Sequence, residues 1–207
     1  IAKNGTVVET KKLYDDKLPA WIEQRVREQQ RTIDFKAAAV LAESVGADLG
    51  TLYNQINKLC LVVAAGEAIS ADHVEQHVGI SKEYNNFELR KALGNGHTAK
   101  AYTIAHFFGR HPRQHPLLGT IRSLHNYFMQ LLTYHGLPSK NPDAVAKALG
   151  IHPFFVREIE QAARRYPLKS IVPILGSIKK ADLAVKGVDA FPTSEGEVLQ
   201  ELLSHIA

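Results

Sequence analysis

The chain has 207 residues, 45% hydrophobic and 22% charged, a composition that excludes wholesale disorder and supports one large or two small buried cores. Twenty-five Lys/Arg against 21 Asp/Glu give a formal charge of +4, which permits an acidic partner without naming one. The single cysteine, Cys60, excludes an intrachain disulfide or a multi-thiolate metal cluster, and no apolar run approaches the ~20 residues of a membrane span.

Taken in chain order, Gly5-Thr6-Val7-Val8-Glu9 is a short β-branched run and the one good strand signal. One strand cannot make a sheet, so a chain that opens on Ile1 reads as a fragment whose first residues finish another domain. Leu18, Trp21, Ile22 and Val26 then recur at helical spacing, with Pro19 tolerated in the first turn. Asp34 is placed to cap a second helix carrying Ala38, Leu41, Ala42 and Val45, which Gly46 ends. Asp48 caps a third with the apolar stripe Leu49, Leu52, Ile56, Leu59, Cys60 and Val63. Ser70 caps a short fourth, with Ile69 and Val74 spaced as a hydrophobic staple.

From Asn86 the pattern restarts. A short helix carries Phe87, Leu89 and Leu93 until Gly94-Asn95-Gly96 stops it. Helices are expected over 98–108 and 117–135, the second with Ile121, Leu124, Phe128, Leu131 and Leu132 facing one way. Asn141 caps 144–149, Pro153 opens a helix reaching Arg165, and Pro167 and Pro173 blur the start of the next, which runs to Lys186. Ser194-Glu195-Gly196-Glu197 is a capping box for the last, 198–206. Charge separates the two halves: residues 1–80 hold 9 Lys/Arg and 11 Asp/Glu, whereas 100–186 hold 13 and 4.

Catalytic patterns are scarce. The sequence contains no G-x-x-x-x-G-K-[ST] loop to cradle nucleotide phosphates, no G-x-S-x-G and no H-E-x-x-H. His73 and His77 sit four apart with Glu75 between them, but a zinc site needs at least one more ligand, so both read as solvated. His106, His111 and His115 bracket a proline-containing loop and read as surface or capping residues, and Cys60 as a buried, inert thiol. No catalytic, cofactor-binding or metal-ligating residue is assigned. Arg164, Arg165, Lys169, Lys179, Lys180 and Lys186 read equally as a solvated helical face or as a basic surface meeting phosphates, and Phe191, in the loop that follows, reads as a loop anchor, with stacking on a base as the alternative. Residues 143–165 have the outline of a helix-turn-helix, which as a DNA-binding regulator would depend on Arg157. The second helix nevertheless starts with Pro153, Phe154 and Phe155, residues that suit packing more than base edges.

Gly46-Ala47-Asp48-Leu49-Gly50-Thr51-Leu52, followed by Asn54-Gln55-Ile56, resembles the lid domain of AAA+ clamp-loader proteins. The ATPases of that group carry an arginine after the leucine, which reaches the nucleotide phosphates; here the position is Gly50, which implies a lid that does not hold ATP. The ordered series adds Leu18-Pro19-Ala20-Trp21-Ile22, Asn57-Lys58-Leu59 and Ile69-Ser70-Ala71-Asp72-His73-Val74. It continues through Tyr84-Asn85-Asn86-Phe87-Glu88-Leu89 and Ala181-Asp182-Leu183-Ala184-Val185-Lys186-Gly187. Together these are similar to the delta subunits of bacterial DNA polymerase III clamp loaders.

The resemblance implies an all-α chain with a remnant N-terminal strand: the end of a truncated AAA+ core (1–14), a helical lid (15–82) and a helical collar (83–207). It implies a non-catalytic, cytoplasmic subunit of a hetero-pentamer that loads the sliding clamp onto primed DNA. Clamp contact would belong to the absent first domain. Partners would be the other clamp-loader subunits through the collar, and primer-template DNA without sequence preference. No cofactor and no membrane are implied.

Overall fold

The computed structural model describes residue 13 and residues 17–188 and 194–207; the expected strand at 5–9 and Phe191 lie outside them. The fold is all-α, with eleven α-helices among the described residues. The chain forms two compact units, Ile1–His73 and Val74–Ala207.

In the first unit, α1 (Leu18–Glu28) buries Leu18, Ile22 and Val26, the stripe its 3.6-residue period creates. It ends with the Arg31 N–H donating to the Val26 carbonyl and the Gln30 N–H to that of Arg27, at 3.1 and 2.9 Å. This closure puts Gln30 at φ 58°, where glycine is the usual occupant. Helix α2 (Phe35–Val45) buries Ala37, Ala38, Val40, Leu41 and Ala42 and stops at Gly46, φ 72°. Asp34 does occupy its N-cap position, but its side chain makes no capping bond. The Asp34 N–H donates instead to the Ile69 carbonyl, and Ile69 returns a bond to that of Thr32, a two-residue parallel bridge between the loops.

Helix α3 (Leu49–Val62) buries Leu52, Ile56 and Leu59. Two members of the expected stripe differ: Leu49 in the first turn is 37% exposed, and Cys60 is half-buried. Burial still pushes the Cys60 thiol up, so it stays protonated at neutral pH. Helix α4 (Ala71–Val78), which spans the division at His73, begins after Ser70, whose hydroxyl accepts from the His73 N–H.

The second unit contains α5 (Asn86–Gly94), α6 (Thr98–Arg110), α7 (Leu117–Gly136) and α8 (Pro142–Leu149), followed by α9 (Val156–Arg165), α10 (Leu168–Val185) and α11 (Glu195–Ile206). Helix α7 forms its spine: Ile121, Leu124, Phe128 and Leu131 are buried in one continuous cluster with residues of α5, α6 and α8–α11. Phe128 meets Tyr166 edge-on at 5.1 Å, and the Tyr166 hydroxyl donates to the Leu93 carbonyl at 3.2 Å. The polar atom of a buried tyrosine is thereby satisfied.

Pro153 opens a short 3-10 turn (Pro153–Phe155) ahead of α9 instead of entering the helix directly. Helix α10 begins right after Pro167 and carries Pro173 inside it. That proline lies on the exposed side, where water can satisfy the carbonyl deprived of its N–H partner. The capping box at Ser194 and Glu197 is fully formed.

Candidate functional site

The lid-like turn is built by two local devices. Gly46 leaves α2 in the left-handed region, and Asp48 caps α3, one carboxylate oxygen accepting from the Thr51 N–H at 3.1 Å and the other from its hydroxyl at 2.7 Å. Those bonds, the hydroxyl one first, hold the Asp48 carboxyl below its usual range. Gly50 follows in the first turn, and a Cβ built there would meet only the Asp48 carboxylate, at an ordinary 3.4 Å. Packing therefore does not demand glycine at this position.

The late basic residues divide into two sets. Arg164 pairs with Glu160 at 2.7 Å, Lys186 with Asp182 at 2.7 Å, and Arg165 donates to the Ala207 carbonyl at 2.8 Å. Lys169, Lys179 and Lys180 stand exposed on α10. Phe191 lies outside the described residues.

A denser cationic region lies earlier in the chain. Between Glu88 and Asp143 the sequence has no carboxylate side chain but seven Lys/Arg and six His. A count spread over 100–186 dilutes that run, which is the sequence signal that finds it. It covers α6, α7 and the corner between them. There Phe107 stacks on Tyr84 at 4.6 Å and on the His111 ring at 4.2 Å, while His115 stacks on Phe108 at 4.4 Å. His111 and His115, two of the three histidines that bracket this loop in sequence, are thus part of one aromatic corner. His106, Arg110 and His111 line a shallow cleft of about 410 Å³ beside Phe107, and Arg113 is exposed in the following turn. Burial holds His115 below the usual histidine value, with His111 adding to the shift.

A second cleft, of about 560 Å³, runs between α7 and α10. Leu118, at the start of α7, shares it with Asp182 near the end of α10. At the other end, His135 of α7 bonds the Tyr166 carbonyl just ahead of α10, so the two helices are antiparallel.

The helix-turn-helix outline is present as α8, the left-handed Gly150 and α9. Phe155, at the start of its second arm, packs edge-on against Phe87 at 5.6 Å, the behaviour of a structural corner. The His73 ring accepts from the Ser70 N–H at 3.1 Å and lies 3.5 Å from Glu67. Among the described residues, no three His, Cys, Asp or Glu gather as metal ligands. No helix among them is long and apolar enough to cross a membrane.

No family model matches the chain. It is 24% identical over 188 residues to the DNA polymerase III subunit delta of Bacillus subtilis, an alignment covering 90% of this chain and 54% of that protein. The chain thus spans about half the length of the curated relative it matches. Its fold superposes on the solved Bacillus subtilis DNA clamp loader delta protein with a TM-score of 0.57 at 22% identity, over 99% of this chain and 60% of that one. The resemblance to a delta subunit therefore holds in sequence and in fold.

Proposed function

We propose that this chain supplies the lid and collar of a clamp-loader delta subunit, a non-catalytic part of the bacterial replication machinery that helps place the sliding clamp on primed DNA. The observation that carries this reading is a likeness running along 90% of the chain to a protein of that name. In this reading residues 1–14 end an AAA+ core, 15–82 form the lid and 83–207 the collar. The collar joins the other subunits into a hetero-pentamer by burying apolar surface, and the lid passes the state of the ATPase subunits to the clamp-binding domain. A cytoplasmic location follows from that role.

The lid itself binds no ATP, because Gly50 leaves the phosphate-reaching position empty and the sequence contains no phosphate-cradling loop. Calorimetry of the 207-residue chain with ATP should show no saturable heat. Stoichiometric micromolar binding would contradict this part of the proposal. Contact with DNA is sequence-independent and electrostatic, made by exposed cations of the carboxylate-free run, Arg110 and Arg113 foremost, together with Lys169, Lys179 and Lys180.

A further inference from the structure

The cleft beside Phe107 is walled by Thr103, His106, Phe107, Arg110 and His111, with Tyr84 joining them from the loop ahead of α5. Thr103, His106 and Arg110 recur at three- and four-residue steps, so one face of α6 presents them together. The Phe107 ring is stacked on both Tyr84 and His111, at 4.6 and 4.2 Å with interplanar angles of 21° and 29°, which fixes the two ring planes. The His111 Nδ1 lies 2.9 Å from the Phe107 carbonyl, an acceptor only. Nδ1 therefore carries a proton, and Nε2 is the nitrogen left for a ligand.

The polar groups of this wall are uncommitted. Arg110, His106 and the Tyr84 hydroxyl make no hydrogen bond or ion pair among the described residues, whereas Thr103 donates to the Ala99 carbonyl at 3.0 Å. No carboxylate lines the cleft. On the helices packed against α6, Glu88 pairs with Lys100 at 2.7 Å, Glu195 accepts from the Leu117 N–H at 3.3 Å, and Glu197 closes the capping box at Ser194. Glu83, beside Tyr84, and Glu201 of α11 are not among the walls.

An unpaired guanidinium, two imidazoles and a phenol offer more donors than a carboxylate or an internal DNA phosphate, each with two free oxygens and one charge, can use. A terminal phosphate monoester presents three oxygens and a charge of about −1.5 to −2, and arginine grips it in bidentate fashion. The surroundings identify the source. Arg113 stands exposed in the next turn, and the carboxylate-free run continues along α7, so a strand leaving the cleft meets further cations that a free nucleotide would not reach.

We propose that this cleft takes the terminal phosphate monoester of a DNA strand; the choice of DNA as the source rests on the function proposed above. Arg110 and His106 hold phosphate oxygens, Tyr84 and His111 supply the remaining donors, and Arg113 meets the next phosphate along.

The test measures binding of the 207-residue chain to one single-stranded oligonucleotide, labelled at its 3′ end, with either a 5′-phosphate or a 5′-hydroxyl. At about 0.1 M salt the phosphorylated strand should bind about five- to tenfold more tightly. His106→Ala/Arg110→Ala, both at exposed positions and checked by circular dichroism, should bring that ratio to about one. Arg113→Ala, outside the cleft, should weaken both strands alike and keep the ratio. Equal binding of the two strands by the parent, or a preference that survives in the double variant, overturns the cleft assignment and leaves sequence-independent DNA contact standing. A parent that binds neither strand overturns both. Displacement of the phosphorylated strand by micromolar deoxyadenosine monophosphate, or by a phosphoserine peptide, gives the cleft a different ligand and overturns the proposal.

Discussion

Gly109 of α6 and Gly196 of α11 face each other at backbone distance: a Cβ built on Gly109 would lie 2.9 Å from the Gly196 Cα. The two helices cross where a Cβ on Gly109 would clash with backbone and one on Gly196 would lie a tight 3.2 Å from the Gly109 Cα, so the close approach of α11 depends on glycine at 109. Gly109→Ala forces backbone apart, not a flexible side-chain tip, and the expected cost is about 1–3 kcal/mol. Urea unfolding should show a lower midpoint with an unchanged slope. Gly119→Ala, on a helix where nothing lies within 4 Å of the new Cβ, is the control, and it should not lower the midpoint.

Gln30 presents the opposite case, a position that favours glycine and lacks it. Its φ of 58° closes α1, and a left-handed residue with a Cβ carries a conformational penalty. Gln30→Gly should raise stability by about 0.5–1 kcal/mol, the relief of strain exceeding the entropy that glycine adds to the unfolded chain. Thermal unfolding provides the check; a fall in the midpoint would show that the Gln30 side chain contributes more than its backbone strain costs.

The helix ends were the most legible part of the sequence, because a cap joins a side chain to an N–H no more than three residues away. Asp48, Asn141 and Ser194 each accept such a bond, whereas Asp34 holds the position without making one. Features set by distant partners were not legible. The bridge between Ile33 and Ile69, the passage of α10 through Pro173 and the Phe107 corner all depend on which elements meet. Leu49 and Cys60 fit an apolar period yet lie off the face that packing selects, since period alone does not fix the centre of a stripe. Of the candidate surfaces, the carboxylate-free run can be read directly from composition, whereas the α7/α10 groove needs the two helices side by side.

His115 makes stability depend on pH. Burial against Phe108 and the neighbouring His111 lower its affinity for a proton in the folded state relative to the usual value of 6.5. The unfolded chain then binds the proton more readily, so this contribution is complete above pH 6.5 and falls as the pH drops from there to the folded-state value. His115→Phe should flatten the decline in urea midpoint between pH 7.5 and pH 5. An unchanged decline would place the pH dependence elsewhere.

The carboxylate-free segment should bind DNA through phosphates alone. Each neutralised phosphate releases counterions, so Arg110→Ala/Arg113→Ala should reduce the slope of log K against log salt by about 1.4 for single-stranded DNA and about 1.8 for duplex. The loss should be the same for oligonucleotides of unrelated sequence. A loss confined to one sequence would indicate base readout and favour a regulator over a clamp-loader part.

The central claim is tested most directly by reconstituting clamp loading from purified subunits of the same organism, with and without the full-length protein that carries this sequence. The readout is the amount of sliding clamp retained on primed circular DNA in the presence of ATP. The expected result is loading that requires this protein, which co-elutes with the ATPase subunits as one complex. Undiminished loading in its absence, with no co-elution, would contradict the account.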